Sequence, residues 1–135
     1  MLFNKSFDLS HLENDSIKIP FFSKLHDVQP MCWMASNESY PSLKKFCSDY
    51  LHFKMIEFSE AAGEGNYNFG HTDPEKSFKY AAFDPVATVV LGQKMWNEYP
   101  YIRKIYPIDN QVTEACRLLG KEEITVDFDK VQALL

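Results

Sequence analysis

The sequence predicts a mostly α-helical fold, and three observations favour that class. Apolar residues recur at the three-to-four spacing of a helix face in several segments. The prolines and glycines stand mainly where such helices would begin or end. The last quarter of the chain holds two candidate helices joined by a short link, an αα-hairpin. Because 135 residues of ordinary composition match one domain, we expect a single compact domain over residues 1–135.

The first forty residues support an alternative fold class. Residues 17–19 alternate apolar, basic and apolar side chains as a short strand does, whereas residues 20–28 could form a short helix begun at Pro20. An α+β fold with a short N-terminal strand or hairpin is therefore the alternative.

The clearest predicted helix spans residues 41–62. Ser39 is its expected N-cap, and Gly63 is expected to end it because glycine accepts the left-handed conformation that closes a helix. Its apolar stripe predicts burial of five side chains: Leu43, Phe46, Tyr50, Leu51 and Phe58.

Two more helices are predicted in the middle of the chain. A capping box between Thr72 and Glu75 should begin a short helix that runs through Ala82. Asp84 followed by Pro85 should then begin a second helix over residues 86–99. The β-branched run 88–90 leaves a strand open for that second segment.

The predicted hairpin begins with a helix that Asp109 caps and Gly120 ends. Val112, Cys116 and Leu119 should form its buried face. The second helix should follow a cap at Thr125 or Asp127, with Phe128, Val131 and Leu135 sharing one face.

The three cysteines are too few for a disulfide framework, so we expect reduced thiols in a cytoplasmic protein. Cys32, Cys47 and Cys116 all lie among apolar neighbours, which favours burial and chemical inertness. The sequence shows neither a signal-peptide core nor an apolar run long enough to cross a membrane.

Charge is the most informative property of the sequence. Fourteen basic against nineteen acidic residues give a net charge of −5, which argues against nucleic acid and against a membrane surface as partners. Residues 55–75 contain five acidic residues and neither lysine nor arginine. We predict that this acidic segment binds a basic protein partner through seven residues: Glu57, Glu60, Glu64, Tyr67, Phe69, His71 and Asp73. The competing interpretation is an ordinary solvated helix end and loop.

Motifs for catalysis and cofactor binding are missing from the sequence. It contains no nucleophile elbow, phosphate-binding loop or His-Glu-x-x-His motif, so we assign no catalytic residue, metal site or cofactor. The alternative is a small enzyme whose cleft is formed by Glu57, Glu60 and His71. The same side chains give a weaker hypothesis of a metal site.

The leading functional hypothesis is an acidic protein-binding module that is a monomer or weak dimer. By analogy of composition, it is similar to the bacterial immunity proteins that neutralise basic nuclease-type toxins. Such an inhibitor would occlude the active site of a toxin domain by placing carboxylates where that site expects phosphates.

Overall fold

Helices dominate the computed structural model, which describes residues 1–17, 25–37, 42–63 and 72–121. About three quarters of these described residues are helical, so the predicted mostly α-helical class is confirmed. In the described ranges, β-structure is limited to one isolated parallel bridge between Leu2 and Asp27, and Ile17 lies outside any strand. The helices are α1 (Lys5–Asn14), α2 (Val28–Ser36), α3 (Leu43–Leu51), α4 (Phe58–Ala62), α5 (Pro74–Glu98) and α6 (Ile102–Leu119).

The core is built around α5, against which α2, α3, α4 and α6 pack. Its main cluster joins side chains from α2, α3, α5 and α6 that are almost completely shielded from solvent, which is the chief source of the stability of such a core. These residues are Val28, Met31, Cys32, Phe46, Leu91, Met95, Ile102 and Tyr106.

Helix α1 was not predicted, and a polar junction holds its first turn. The carboxylate of Asp27 caps α2 by accepting from the amide of Gln29, at 3.1 Å. It also accepts from the amides of Asn4 and Lys5 at 3.0 and 2.9 Å, where α1 begins. Because amides at a helix N-terminus have no partner within the helix, this one side chain satisfies both starts.

The predicted single helix over residues 41–62 is wrong, because two helices and an extended segment occupy that range. Helix α3 ends at His52, whose φ of 53° is left-handed, and the amide of Phe53 bonds the carbonyl of Cys47. The segment that follows α3 then buries Met55 against Cys47 and Ala87. That apolar contact favours the break.

The caps and burial of this region were partly predicted. The N-cap is Ser42 and not Ser39, with its hydroxyl accepting from the amide of Lys45 at 3.3 Å. Gly63 ends α4 as predicted, with φ of 86°. Phe46 is fully buried, while the other four predicted core side chains are half-buried: Leu43, Tyr50, Leu51 and Phe58.

Helix α5 is continuous where two helices were predicted. Its N-cap is Asp73, one residue after the predicted cap Thr72. The Asp73 carboxylate accepts from the amide of Glu75 at 2.9 Å. It then runs through Pro85, although a proline cannot donate the backbone hydrogen bond of a helix. The buried face that follows, from Ala87 to Met95, favours continuation of the helix, so the strand considered for this segment is excluded.

Helix α6 begins earlier than predicted and buries another face. Asp109 lies inside the helix, after Pro107, while Gly120 ends it as predicted. The buried side chains are Ile102, Tyr106 and Arg117. The predicted inner face is wrong, because its three members are exposed to solvent: Val112, Cys116 and Leu119. The second helix of the predicted hairpin lies outside the described residues.

The three cysteines differ in burial. Cys32 and Cys47 are buried free thiols, as predicted, and burial raises the pKa of both. Cys116 is an exposed free thiol, because the face of α6 on which it lies turns outward. Among the described helices, none combines the length and apolar character that crossing a membrane requires.

Candidate functional site

Two aspartates far apart in sequence line one pocket. Asp8 lies in the first turns of α1, and Asp84 lies in the middle of α5 immediately before Pro85. The pocket has a volume of about 330 Å³. Apolar and hydroxyl side chains complete its wall, so the lining includes Phe3, Asp8, Leu43, Asp84, Pro85 and Thr88.

The backbone beside Asp84 is fixed by its own helix. The hydroxyl of Thr88 donates to the carbonyl of Asp84 at 2.8 Å. Because Pro85 has no amide hydrogen and a restricted φ, the helix has little freedom at this point. The backbone that carries the Asp84 side chain is thereby fixed.

Both carboxylates lie where water is partly excluded. Desolvation raises the pKa of Asp8, and the nearby His11 opposes that shift. Desolvation likewise raises the pKa of Asp84, against the opposing charge of Lys44. No lysine, arginine or histidine in the described ranges forms an ion pair with either carboxylate. Desolvation disfavours the charged form of each carboxyl, and a cation bound in the pocket would offset that cost.

Lys44 is the positive side chain associated with this site. Its Nζ lies 2.8 Å from Glu57 Oε2 and 5.3 Å from the centre of the Tyr80 ring. The ion pair and the cation–π contact hold this ammonium between α3, α5 and the start of α4. Burial raises the pKa of the Asp84 carboxyl, and the charge of Lys44 opposes part of that rise.

The donor set suits a hard divalent cation with few protein ligands. In proteins Mg²⁺ is commonly held by one or two carboxylates together with water and the phosphates of a substrate. Asp8 and Asp84 match that pattern. No group of three or more His, Cys, Asp or Glu side chains comes together in the described part of the chain, so these residues do not form an all-protein metal cage.

The predicted acidic binding segment is described only at its two ends. Glu57 and Glu60 form a capping box at the start of α4, and Asp73 caps α5. Residues 55–75 lack a cation of their own, but α3 supplies Lys44 to Glu57 in space. The other four predicted members lie outside the described residues: Glu64, Tyr67, Phe69 and His71. The binding role of this segment stays a prediction.

Sequence reasoning did not identify Asp8 or Asp84 as site residues. Asp84 was assigned only as the cap of a helix start, and Asp8 stood in a segment for which no helix was predicted. They are 76 positions apart and belong to no short motif, so spacing alone could not pair them.

One family model matches the chain, over residues 1–100, and its description is 3′-5′ exonuclease. The matched segment is about three quarters of the sequence and contains both Asp8 and Asp84. No curated protein and no solved structure matches the chain.

This match overturns the hypothesis of an immunity protein or toxin inhibitor. That hypothesis came from net charge and composition, which describe the average of a surface and not one site. A pocket with two carboxylates contributes little to the net charge, and yet its local field governs which ligand binds. The hypothesis made a nuclease the partner of this chain, whereas the match places the chain itself in an exonuclease family.

Proposed function

Because the chain belongs to the 3′-5′ exonuclease family, we propose that it removes nucleotides from the 3′ end of a nucleic acid strand at the Asp8–Asp84 pocket. The observation that carries this proposal is that Asp8 of α1 and Asp84 of α5 both line one pocket. Hydrolysis of a phosphodiester needs positive charge beside the phosphate, and paired carboxylates are the side chains that hold such charge.

Asp8 and Asp84 would hold a magnesium ion in this proposal. A bound magnesium ion supplies stabilisation of charge on the phosphate and a water of lowered pKa. The raised pKa of each carboxyl reflects the cost of holding an uncompensated anion, which a cation would remove.

The remaining lining residues would position the strand end. Leu43 and Phe3 offer apolar surface for a sugar or base, and Lys44 places a cation near Asp84. The net charge of −5 opposes general binding to a phosphate backbone. In this proposal binding depends on local cations, so it should be weak away from the strand end and sensitive to salt.

The direct test uses a single-stranded DNA oligonucleotide carrying a fluorophore at its 5′ end, with and without Mg²⁺. We expect a ladder of labelled products that shorten one nucleotide at a time, and only with Mg²⁺. Asp8→Asn and Asp84→Asn should each lower the rate by about 100-fold or more, because each removes one of two charged ligands.

Asp49→Asn is the matched control, since Asp49 is an exposed aspartate of α3 whose partner is Lys45 four residues earlier. It should leave the rate unchanged, and thermal unfolding should show that all three variants fold. Absence of shortening in the wild type, or a normal rate in Asp84→Asn, would overturn the proposal.

A further inference from the structure

A second pocket, of about 360 Å³, lies between α1, α5, α6 and the segment that precedes α2. That volume is in the range of small-molecule sites. Neither Asp8 nor Asp84 lines it. Its wall combines a lysine, three aromatic rings and two amides: Lys5, His26, Trp96, Tyr106, Asn110 and Gln111.

Lys5 brings a buried positive charge to this pocket. Its residue is 1% exposed, and its Nζ donates to Asn110 Oδ1 at 2.8 Å. No carboxylate of the described ranges forms an ion pair with it. An ammonium has three hydrogens to donate, and a buried one is stabilised when an anion approaches. The pocket wall therefore holds a charge that a ligand anion would complement.

The carboxylates near Lys5 are already engaged. The oxygens of Asp27 accept from three backbone amides. Glu114, which also lines the pocket, receives two hydrogen bonds from Arg117 at 3.0 and 2.7 Å. Neither carboxylate forms an ion pair with Lys5, although the charge of Lys5 favours the ionised form of both.

The aromatic part of the wall suits a planar ring. The rings of Trp96 and Tyr106 are 6.2 Å apart and almost perpendicular, at 88°. Tyr106 is 1% exposed and packs edge-on against Trp96 as part of the core, so the half-buried ring of Trp96 is the surface on which a flat ligand can stack. His26 lies 5.8 Å from Tyr106, and its buried Nδ1 has no hydrogen-bond partner in the structure. An unused ring nitrogen beside stacking surfaces is the arrangement by which proteins recognise the edge of a base.

We propose that this pocket binds a nucleoside monophosphate, with the phosphate at Lys5 and the base against the ring of Trp96. Gln111, at the exposed side of the pocket, is placed to bond the sugar or the base edge. This site is separate from the Asp8–Asp84 pocket, and binding there requires no hydrolysis. Stepwise removal of nucleotides releases molecules of this class, so the site would respond to the product of the proposed activity.

Calorimetric titration with AMP, adenosine and inorganic phosphate tests the proposal in the absence of Mg²⁺. AMP should bind at least about tenfold more tightly than either part, because only AMP reaches both the ammonium and the rings. Lys5→Met should weaken AMP binding by about tenfold or more. Lys54→Met, at an exposed lysine, should leave it unchanged. AMP should also change the fluorescence of Trp96 in a Trp33→Phe background.

Gln111→Trp keeps the test decisive if Lys5→Met fails to fold. Gln111 is exposed, so a larger side chain there should fill the pocket mouth and abolish AMP binding without disturbing the core. Equal affinity for phosphate and AMP, or no binding of AMP at millimolar concentration, would overturn the proposal. The proposal would also be overturned if the Asp8→Asn, Asp84→Asn double variant lost AMP binding while Gln111→Trp retained it. Because these titrations measure binding alone, they stand or fall independently of the exonuclease assay.

Discussion

At the scale of single residues, Asp27 has the most consequential environment in the molecule. It is 3% exposed, and its burial raises the pKa of its carboxyl, while hydrogen bonds from Lys5, Gln29 and Asn4 oppose that rise. Its own amide donates to the hydroxyl of Tyr106 at 2.7 Å. The carboxylate and the backbone amide of Asp27 therefore both have hydrogen-bond partners, as buried polar groups require.

Tyr106→Phe should destabilise the protein by about 1–3 kcal/mol, because it leaves the buried amide of Asp27 without an acceptor. It also removes the hydroxyl that bonds Asn110 Oδ1 at 3.0 Å. Urea unfolding followed by circular dichroism measures the effect. Tyr101→Phe is the control, since that ring is 43% exposed and its hydroxyl donates to the carbonyl of Met34 near solvent. A loss below about 0.5 kcal/mol in Tyr106→Phe, the range of surface substitutions, would contradict this account.

At the scale of elements, the sequence predicted which segments are helical better than where each helix stops. A cap with a local chemical cause was found at Gly63, because glycine adopts its φ of 86° without strain. Gly120 also ends its helix as predicted, although its φ is −66°. The break at His52 and the continuity through Pro85 were missed, because burial of Met55 and Leu91 decides them. Tertiary packing overrides local propensity at such positions.

The same limit applied to the candidate site. Acidic patterning pointed to residues 57–75, since a run of like charges is visible in sequence. Asp8 of α1 and Asp84 of α5 line one pocket only in the folded chain, and no local signal in the sequence encodes that. The outward turn of α6 was missed for a related reason, because Arg117 is buried by its carboxylate partners and not by apolar character.

Gly92→Ala tests how closely Val28 and Met1 pack against α5. A Cβ at this position would lie 2.8 Å from the Cγ2 of Val28, a fully buried side chain, and 2.6 Å from the flexible end of Met1. We expect a loss of about 1–3 kcal/mol from overpacking, offset in part by the better helix propensity of alanine. Thermal unfolding is the measurement.

Gly120→Ala is the matched control for that substitution. Gly120 has φ of −66°, and its nearest neighbour to an added Cβ is a backbone oxygen at 3.4 Å. Alanine there should be neutral or stabilising by a few tenths of a kcal/mol, because it restricts the unfolded chain. Equal effects of the two substitutions on stability would show that the contact of the added Cβ with Val28 is not the cause of the loss in Gly92→Ala.

At the scale of the whole molecule, Arg117 connects the first and last described helices. Its side chain is 3% exposed and pairs with Glu13 of α1 at 2.6 Å and with Glu114 at 2.7 Å. Lys121 also contacts Glu13. Hydrogen bonds from Lys121 and Arg117 lower the pKa of Glu13, and those from Arg117 lower the pKa of Glu114. The cluster is therefore held by charged hydrogen bonds and not by apolar contact.

Arg117→Met should cost about 1–3 kcal/mol at pH 7, the range for losing hydrogen bonds to charged groups. Because the folded pKa values of both glutamates are lowered, their stabilisation is present above the ordinary pKa of 4.5 and disappears as pH falls through the folded values. The difference between variant and wild type should shrink below about pH 4.5. Unfolding measured across pH values tests this expectation. Lys79→Met is the control, because it removes the exposed ion pair of Lys79 with Glu75.

The contacts of α6 with the start of the chain have a consequence for the protein during its synthesis. Lys5 bonds a residue 105 positions later, and Asp27 bonds one 79 positions later. A ribosome releases the amino-terminal segments first, so both polar groups stay in water until α6 has emerged. Ile102 and Tyr106, two members of the core cluster, arrive at the same late moment. Completion of the fold is therefore tied to the end of translation of this segment, and a nascent chain stopped before α6 would expose an apolar surface to the chaperones of the cell.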